Sequence, residues 1–417
     1  MSGSTSVSSQ DALSQEHVSN LYDDIHPLHS PLESAELADE CHPAVSYSKE
    51  LINRKSLTPE DAGCQMWLAE KLTHLGFEFH QFMSKDVSNF IAIYGNKGPL
   101  LAFCGHTDVV PVGDANKWLT DPFSGEIIEG ELYGRGVTDM KGGIAAMLSA
   151  VERLIESGKV PDVRIMFLIT SDEEGEADEG SIRIVEYLKS KNLLPDFCLI
   201  GEPSSREHSG DAMLVGRRGA ISGQFDVIGK LGHVAYPTMH HNAAHHATRM
   251  MNALLQLEWD KGSPNFPGTT LQVTGIETGH FTDNLVPANC TVLFNVRYSH
   301  NYTEQEVRER IEETLNAVYE KFSMSWTRPC LPYITHLQED EETLVKRLEK
   351  VIKQRCGRYP ILCTTGGTSD GRFFTDICDQ VVELGLPNKT IHQVNERVKV
   401  SDIIELEGIY YDLLSSF

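Results

Sequence analysis

The sequence predicts an α/β protein, with a larger domain built on a central mixed sheet flanked by helices and a smaller α+β domain inserted into it. Three observations lead there. Short apolar runs at 99–104, 163–170 and 196–200 have the length and composition of buried strands. Helical patterns alternate with these runs. After Gly219 the texture changes to segments in which apolar and polar residues alternate, and near 333 it changes back. The expected division is an N-terminal extension at 1–43, one domain from 44–218 and 333–417, and the inserted domain at 219–332.

The 417 residues suffice for two or three domains, and a 40% hydrophobic content supplies a sizeable core. With 60 acidic against 36 basic residues the formal charge is -24, which opposes binding to a phosphate backbone. No window approaches the roughly 18–20 consecutive apolar residues that span a bilayer. Neither nucleic acid nor membrane is therefore an expected partner. The nine cysteines are odd in number, lack Cys-x-x-Cys spacing and include the apolar settings Phe103-Cys104 and Phe197-Cys198. Reduced, buried thiols and a cytoplasmic location follow.

Residues 1–43 are rich in Ser, Asp, Glu and His, without the basic start and apolar run of a signal peptide, and read as a mobile extension. Order is expected from about Ala44. Thr58-Pro59-Glu60-Asp61 resembles a helix start, with a capping hydroxyl, proline in the first turn and acids at the positive end of the dipole. The strand at 99–104 leads to His106-Thr107-Asp108. A helix at 142–157 carries Ile144, Met147, Leu148, Val151, Leu154 and Ile155 at helical spacing, which puts one face on the sheet and Glu152, Arg153 and Glu156 in water. The strand at 163–170 leads to Glu173-Glu174, and the strand at 196–200 to Glu202. In the inserted block, strands are expected at 220–227, 269–276 and 289–298, with helices at 243–257 and 304–322. A helix at 339–353, a glycine-rich turn at 366–371 and a strand at 380–384 complete the chain. The histidines among residues 240–246 read as surface groups.

In an open α/β sheet, ligands gather beyond the carboxyl ends of the strands, where several of these acids and imidazoles fall. Imidazoles and carboxylates without a thiolate pair suit zinc or a similar divalent ion, and the surplus of acids points to two metals sharing a carboxylate bridge. Asp139 lies in a glycine-framed segment, 134–143, that tolerates unusual backbone angles. Asp108, two residues from His106, can hold the imidazole tautomer that leaves the other nitrogen for metal. One of Glu173 and Glu174 can bind metal while its neighbour takes a proton from water. Taken singly, each feature admits a plainer role: Asp139 as a helix cap, His106 as a structural imidazole, the glutamate pair as solvated charge.

Together the segments His106-Thr107-Asp108-Val109-Val110-Pro111, 134–143, Ser171-Asp172-Glu173-Glu174-Gly175, Gly201-Glu202-Pro203-Ser204, Gly216-Arg217-Arg218-Gly219, Gly232-His233-Val234-Ala235-Tyr236-Pro237, 366–373 and His392-Gln393-Val394-Asn395-Glu396 resemble a family of dizinc amidohydrolases. That family includes carboxypeptidases, aminoacylases and deacetylases of amino acids. The motifs follow the family's order from about Ala44 to the C-terminus, and the paired arginines with the Gly-Gly-Thr-Ser-Asp-Gly-Arg-Phe run are most similar to its desuccinylase branch. The resemblance implies two zinc ions per subunit, with cobalt as a substitute: His106 and Glu202 on one, Glu174 and His392 on the other, Asp139 bridging. Asp108 would orient His106, Glu173 would act as general acid and base, and the Asp139-Met140 peptide bond would be cis.

The implied reaction is hydrolysis of a small succinylated amino acid, N-succinyl-LL-2,6-diaminopimelate, to succinate and LL-2,6-diaminopimelate in lysine biosynthesis. Family members also act on acetylornithine, acyl amino acids and small peptides, readings that the paired arginines and the Thr368 loop argue against. Forked guanidinium groups match the three substrate carboxylates. The implied contacts are Arg217, Arg297, Asn284, Gly367, Thr368 and Asn388, while Arg218 and Arg372 read as surface or structural ion pairs. The resemblance further implies a homodimer in which His233 of the inserted, dimerising domain reaches the second subunit's site, and domains that close over substrate. Ala220 stands where relatives often carry serine, the loop 176–179 is unusually acidic, and the N-terminal extension has no counterpart in a typical member.

Overall fold

Four neighbouring parallel strands run toward the candidate site with their carboxyl ends at one edge of the sheet. In the computed structural model, which describes residues 39–417 except 160–161, 238, 240, 280–281 and 338–341, they are Arg164–Thr170, Leu100–His106, Phe197–Ile200 and Val381–Glu383. Residues 1–38, most of the expected extension, lie outside the described residues. Antiparallel Glu78–Ser84 and Val87–Tyr94 extend the sheet on one side, and Ala212–Leu214 and Ile361–Cys363 on the other, giving eight strands in a mixed sheet.

Side chains alternate across this sheet. Leu101 and Phe103 join one apolar cluster while Leu100, Ala102 and Cys104 join another on the opposite face, so strands covered on both faces read as continuous apolar runs. The helix Gly142–Glu156 departs from its expected amphipathic role: residues 142–151 are buried all round. The helices Pro43–Ile52 and Val400–Leu414 pack against it and cover its first ten residues, while Arg153 and Glu156 near its end are exposed as the sequence reading expected and Glu152 is half-buried.

The expected helix start at Thr58 is also corrected. Leu57 bridges Val109, and the Thr58 N–H donates to the Val109 carbonyl at 3.1 Å, which ties that segment to the loop leaving Leu100–His106. The helix begins instead at Cys64, where the Asp61 carboxylate accepts the Gln65 N–H at 3.0 Å. The Thr58-Pro59 bond is cis.

Residues from Gly219 to Cys330 supply a second, antiparallel sheet in the order Thr270–Glu277, Asn289–Tyr298, Gly219–Ile228 and Phe322–Cys330. The helices Ala243–Leu255 and Glu304–Val318 pack with it around Ile221, Phe225, Phe294 and Ile311, a core separate from those of the larger sheet. The helix expected to run to 322 stops at Val318, because Phe322, Met324 and Trp326 alternate with Ser323, Ser325 and Thr327 and form the fourth strand. The helix expected at 339–353 is observed as Leu344–Cys356, capped by Thr343; positions 339–341 lie outside the described residues. All nine cysteines are free, and all but Cys41 and Cys356 are buried. Among the described residues no helix is long and apolar enough to cross a membrane.

Candidate metal centre and cleft

The strand Leu100–His106 ends on a buried imidazole whose two nitrogens are differentiated by their surroundings. Nδ1 lies 2.9 Å from the main-chain oxygen of Asp108, which accepts its proton and leaves Nε2 to point inward. Nε2 is 3.2 Å from Asp139 Oδ1 and 3.4 Å from Glu202 Oε1. On the other side, His392 Nε2 is 2.9 Å from Glu174 Oε1 and 3.3 Å from Asp139 Oδ2. The two oxygens of Asp139 therefore face two different imidazoles, each accompanied by a further acid. Donor atoms within 4.8 Å of one another form the sets His106–Asp139–Glu202 and Asp139–Glu174–His392, with a third combination of His106, Glu173 and Glu174.

Asp139 is held from its backbone. Gly136, Thr138 and Asp139 donate their N–H groups to the buried Glu396 carboxylate at 3.0, 2.9 and 3.3 Å. Arg135 donates to the same carboxylate at 2.6 Å and reaches the Pro111 carbonyl at 3.3 Å, which fastens the segment carrying Asp139 to the one carrying His392. The Asp139-Met140 bond is cis. The Asp108 carboxylate, expected to orient His106, stands 3.6 Å from Nδ1, which meets the main-chain oxygen instead, and it accepts the N–H groups of Glu173 and Glu174 at 3.3 and 3.1 Å. One buried acid thus fixes the turn that carries both glutamates.

The cluster's electrostatics favour a cation. Burial and the Asp139 charge push Glu202 up to about 7, and burial together with Glu202 raises Glu173 well above the usual carboxylate range. Hydrogen bonds donated by its imidazole to Asp139 and Glu174 push His392 up to about 10. Burial opposes a charge on His106, yet Asp108, Asp139 and Glu202 outweigh it and raise its pKa. Among the described residues, the ion-pair partners of Asp139, Glu174 and Glu202 are these two imidazoles alone. Oxygen and imidazole donors arranged as two sets about a shared carboxylate fit two divalent ions.

A cavity of about 330 Å³ opens over the cluster, lined by Asp139, Glu174, Glu202 and His392 and by Arg217, Gly367, Thr368 and Asn388. A second, of about 480 Å³, adjoins it; Glu173, Arg297 and Thr368 belong to both walls. Arg297 donates through Nε to Asn295 at 3.1 Å, and its buried Nη1 has no hydrogen-bond partner among the described residues. Ala220 lines the second cavity. The acidic loop beyond Glu174 is partly neutralised, Glu176 by Arg328 at 3.2 Å and Glu179 by Arg183 at 3.1 Å and by Lys85.

The arginines are distributed differently from the sequence reading. Arg217, expected simply as a substrate contact, is buried in an ion pair with Glu383. Arg218 and Arg372, expected in ion pairs, have no carboxylate partner within salt-bridge distance among the described residues: Arg218 donates to the Gly268 carbonyl at 3.1 Å, and Arg372 Nη1 lies 3.2 Å from Cys330 Sγ in the wall of the second cavity. His233 and Asn284 lie together on a short ribbon in which Gly232–His233 pairs with Leu285–Val286. Both are exposed, and neither lines a cavity of its own chain's cleft.

The roles of Glu396 and Glu383 escaped the sequence reading. Glu383 did leave a signal, since it is an acid set between the apolar Val381-Val382 and Leu384, where a buried partner is required.

Comparison with known proteins places these features in context. The model of peptidase family M20/M25/M40 matches residues 102–416. Succinyl-diaminopimelate desuccinylase 2 of Shewanella loihica is 48% identical over 375 residues, covering 89% of this chain and 99% of that protein. Succinyl-diaminopimelate desuccinylase 1 of Alteromonas mediterranea is likewise 48% identical, over 89% of this chain and 96% of its own. Among solved structures, an M20 family metallo-carboxypeptidase from Sulfolobus solfataricus has the same fold with a TM-score of 0.73 at 18% identity, covering 89% of this chain and 98% of that one. A dinuclear metal binding peptidase from Bacillus subtilis matches with a TM-score of 0.65 at 13% identity, over 89% and 96% of the two chains.

Proposed function

This chain belongs to peptidase family M20/M25/M40, and we propose that it is a two-metal amide hydrolase that converts N-succinyl-LL-2,6-diaminopimelate and water to succinate and LL-2,6-diaminopimelate in lysine biosynthesis. The observation that carries this reading is Asp139 set between two imidazole–carboxylate pairs, with Glu173 beside them. The kinship with two desuccinylases supports the substrate.

In this reading His106 and Glu202 would hold one zinc, His392 and Glu174 the other, and Asp139 would serve both; cobalt would suit the same donors. When bound, the metal pair supplies a Lewis acid for the amide carbonyl and a lowered pKa for water. Glu173 has no ion-pair partner among the described residues, and its raised pKa suits a group that takes a proton from water through a carboxylate oxygen and returns it to the departing amine. The Asp108 carboxylate keeps Glu173 aimed into the cleft by holding its N–H. The free Nη1 of Arg297 receives a substrate carboxylate, and Thr368, Asn388 and the Gly367 backbone add polar contacts along the same wall.

His233 and Asn284 fit a homodimer in which residues 219–332 form the interface and each subunit lends these two groups to its partner's cleft, where His233 donates to the tetrahedral oxyanion. The cleft lies between the two sheets, and closure over substrate would bring their walls together. Free, buried thiols accord with a cytoplasmic setting.

The test is hydrolysis of N-succinyl-LL-2,6-diaminopimelate by zinc-loaded protein beside acetylornithine and a Glu173→Gln variant. Turnover of the succinyl substrate, lost in the variant with metal content unchanged, is expected; preference for acetylornithine would overturn the substrate. Mixing Glu173→Gln and His233→Ala subunits should regenerate activity through mixed dimers, each with one intact site. No recovery from verified mixed dimers would refute sharing of His233.

A further inference from the structure

Glu383 closes the strand Val381–Glu383 in the interior of the larger sheet and is fully buried. Its carboxylate receives Ser369 Oγ at 2.5 Å, the Tyr333 hydroxyl, Arg217 Nε at 2.9 Å and Arg217 Nη2. A carboxylate has about four acceptor positions, and these four donors fill them. Because Nε and Nη2 of Arg217 are spent on Glu383, the guanidinium has one nitrogen left for another partner. That nitrogen, Nη1, lies against Gly366, where a Cβ would stand 2.6 Å from it and where φ is +101°. Glycine is required there on both counts. Arg217 also lines the 330 Å³ cavity over Glu202 and His392.

We infer that Glu383 is a positioning residue for substrate recognition: it grips one edge of Arg217 so that Nη1 is presented to a substrate carboxylate, and through Ser369 it holds the Gly367-Thr368 loop in the same cleft wall. The inference rests on the amide-hydrolase reading above. An arginine side chain left to itself samples many rotamers and would lose that freedom on binding; the clamp removes it beforehand. Glu383 thereby sets two substrate-facing groups from one point beneath the cleft, without touching substrate.

The experiment compares wild type with Glu383→Gln, using the full substrate and three analogues that each lack one carboxylate, with metal content and melting temperature recorded for every variant. The expected result is a KM for the full substrate raised tenfold or more, kcat changed less than threefold, and the KM effect abolished for the one analogue that lacks the carboxylate docked on Arg217. Ser369→Ala and Tyr333→Phe each remove a single bond to Glu383 and should raise KM two- to fivefold with the same analogue dependence, which provides the test if Glu383→Gln does not fold. An equal change across all substrates, or none, would assign Glu383 to stability alone and overturn the inference. Failure of wild type to hydrolyse any succinyl substrate would instead refute the proposed function, and is seen before the variants are measured.

Discussion

The two walls of the cleft are built on different principles. On the metal side, His106 ends a parallel strand and Glu174 and Glu202 stand a few residues beyond two others, and their directions follow from the sheet register and from backbone hydrogen bonds such as those accepted by Asp108. On the opposite side, Arg217 depends on a partner elsewhere in the chain, Glu383, 166 residues away in sequence, while Arg297 is steadied by Asn295 two residues before it. A ligand placed by a strand end needs little beyond its own segment, whereas a long flexible side chain acquires its role from whatever satisfies it.

This contrast can be broken or sharpened by experiment. Removing divalent metal with a chelator acts on the first wall alone and should abolish turnover, by at least ~10³-fold under the proposed mechanism. It should also lower the melting temperature, since a ligand that binds only the folded state at 100 times its Kd contributes about 2.7 kcal/mol. Activity that survives verified metal removal would refute a metal role on that wall.

Glu396→Gln attacks the support beneath Asp139 rather than a donor. It weakens the buried pair with Arg135, and breaking such a pair typically costs about 3–5 kcal/mol. Urea unfolding should show a loss of that order, together with weaker metal binding by titration. Unchanged metal affinity would mean that Asp139 is held by its own segment without Glu396.

On the opposite wall, Arg297→Lys should leave metal content and fold intact and raise KM. Losing one charge-assisted hydrogen bond of about 1.5–3 kcal/mol corresponds to roughly 10- to 100-fold. Equal loss in kcat at constant KM would place Arg297 in transition-state stabilisation instead of carboxylate binding.

The smallest effect is expected for Glu176→Gln, which breaks the pair between the Glu173 loop and Arg328 of the second sheet. Both side chains are more than two-thirds exposed, so the change in stability should stay below about 1 kcal/mol by urea denaturation. A larger loss would show that this pair couples the two sheets.

Much of the metal side was legible in the sequence. The runs before His106, Glu173 and Glu202 are apolar because strands covered on both faces must be, and the acids and imidazoles that follow mark the sheet edge. The helix at Gly142–Glu156 was legible in extent and in the exposure of Arg153 and Glu156 but not in the burial of its first ten residues, because apolar spacing reports one buried face and cannot show that two further helices cover that stretch. The strand Phe322–Cys330 carried its alternation openly, yet it adjoined a helical pattern that seemed to continue into it. Thr58-Pro59 had the composition of a helix start, but the bridge of Leu57 to Val109 and the Thr58 N–H donated to the Val109 carbonyl tie it down, which no local rule anticipates.

The sequence by itself therefore determined the α/β class, the strands that end at the site and the residue types gathered there, because hydrophobic periodicity and position after a strand are local properties. Tertiary structure alone decided that Asp139 faces both imidazoles, that Glu396 holds its backbone and that Arg217 belongs to Glu383 while Arg297 keeps a free nitrogen. Those assignments depend on which buried donor meets which buried acceptor, and residues far apart in the chain are matched only when the fold closes around them.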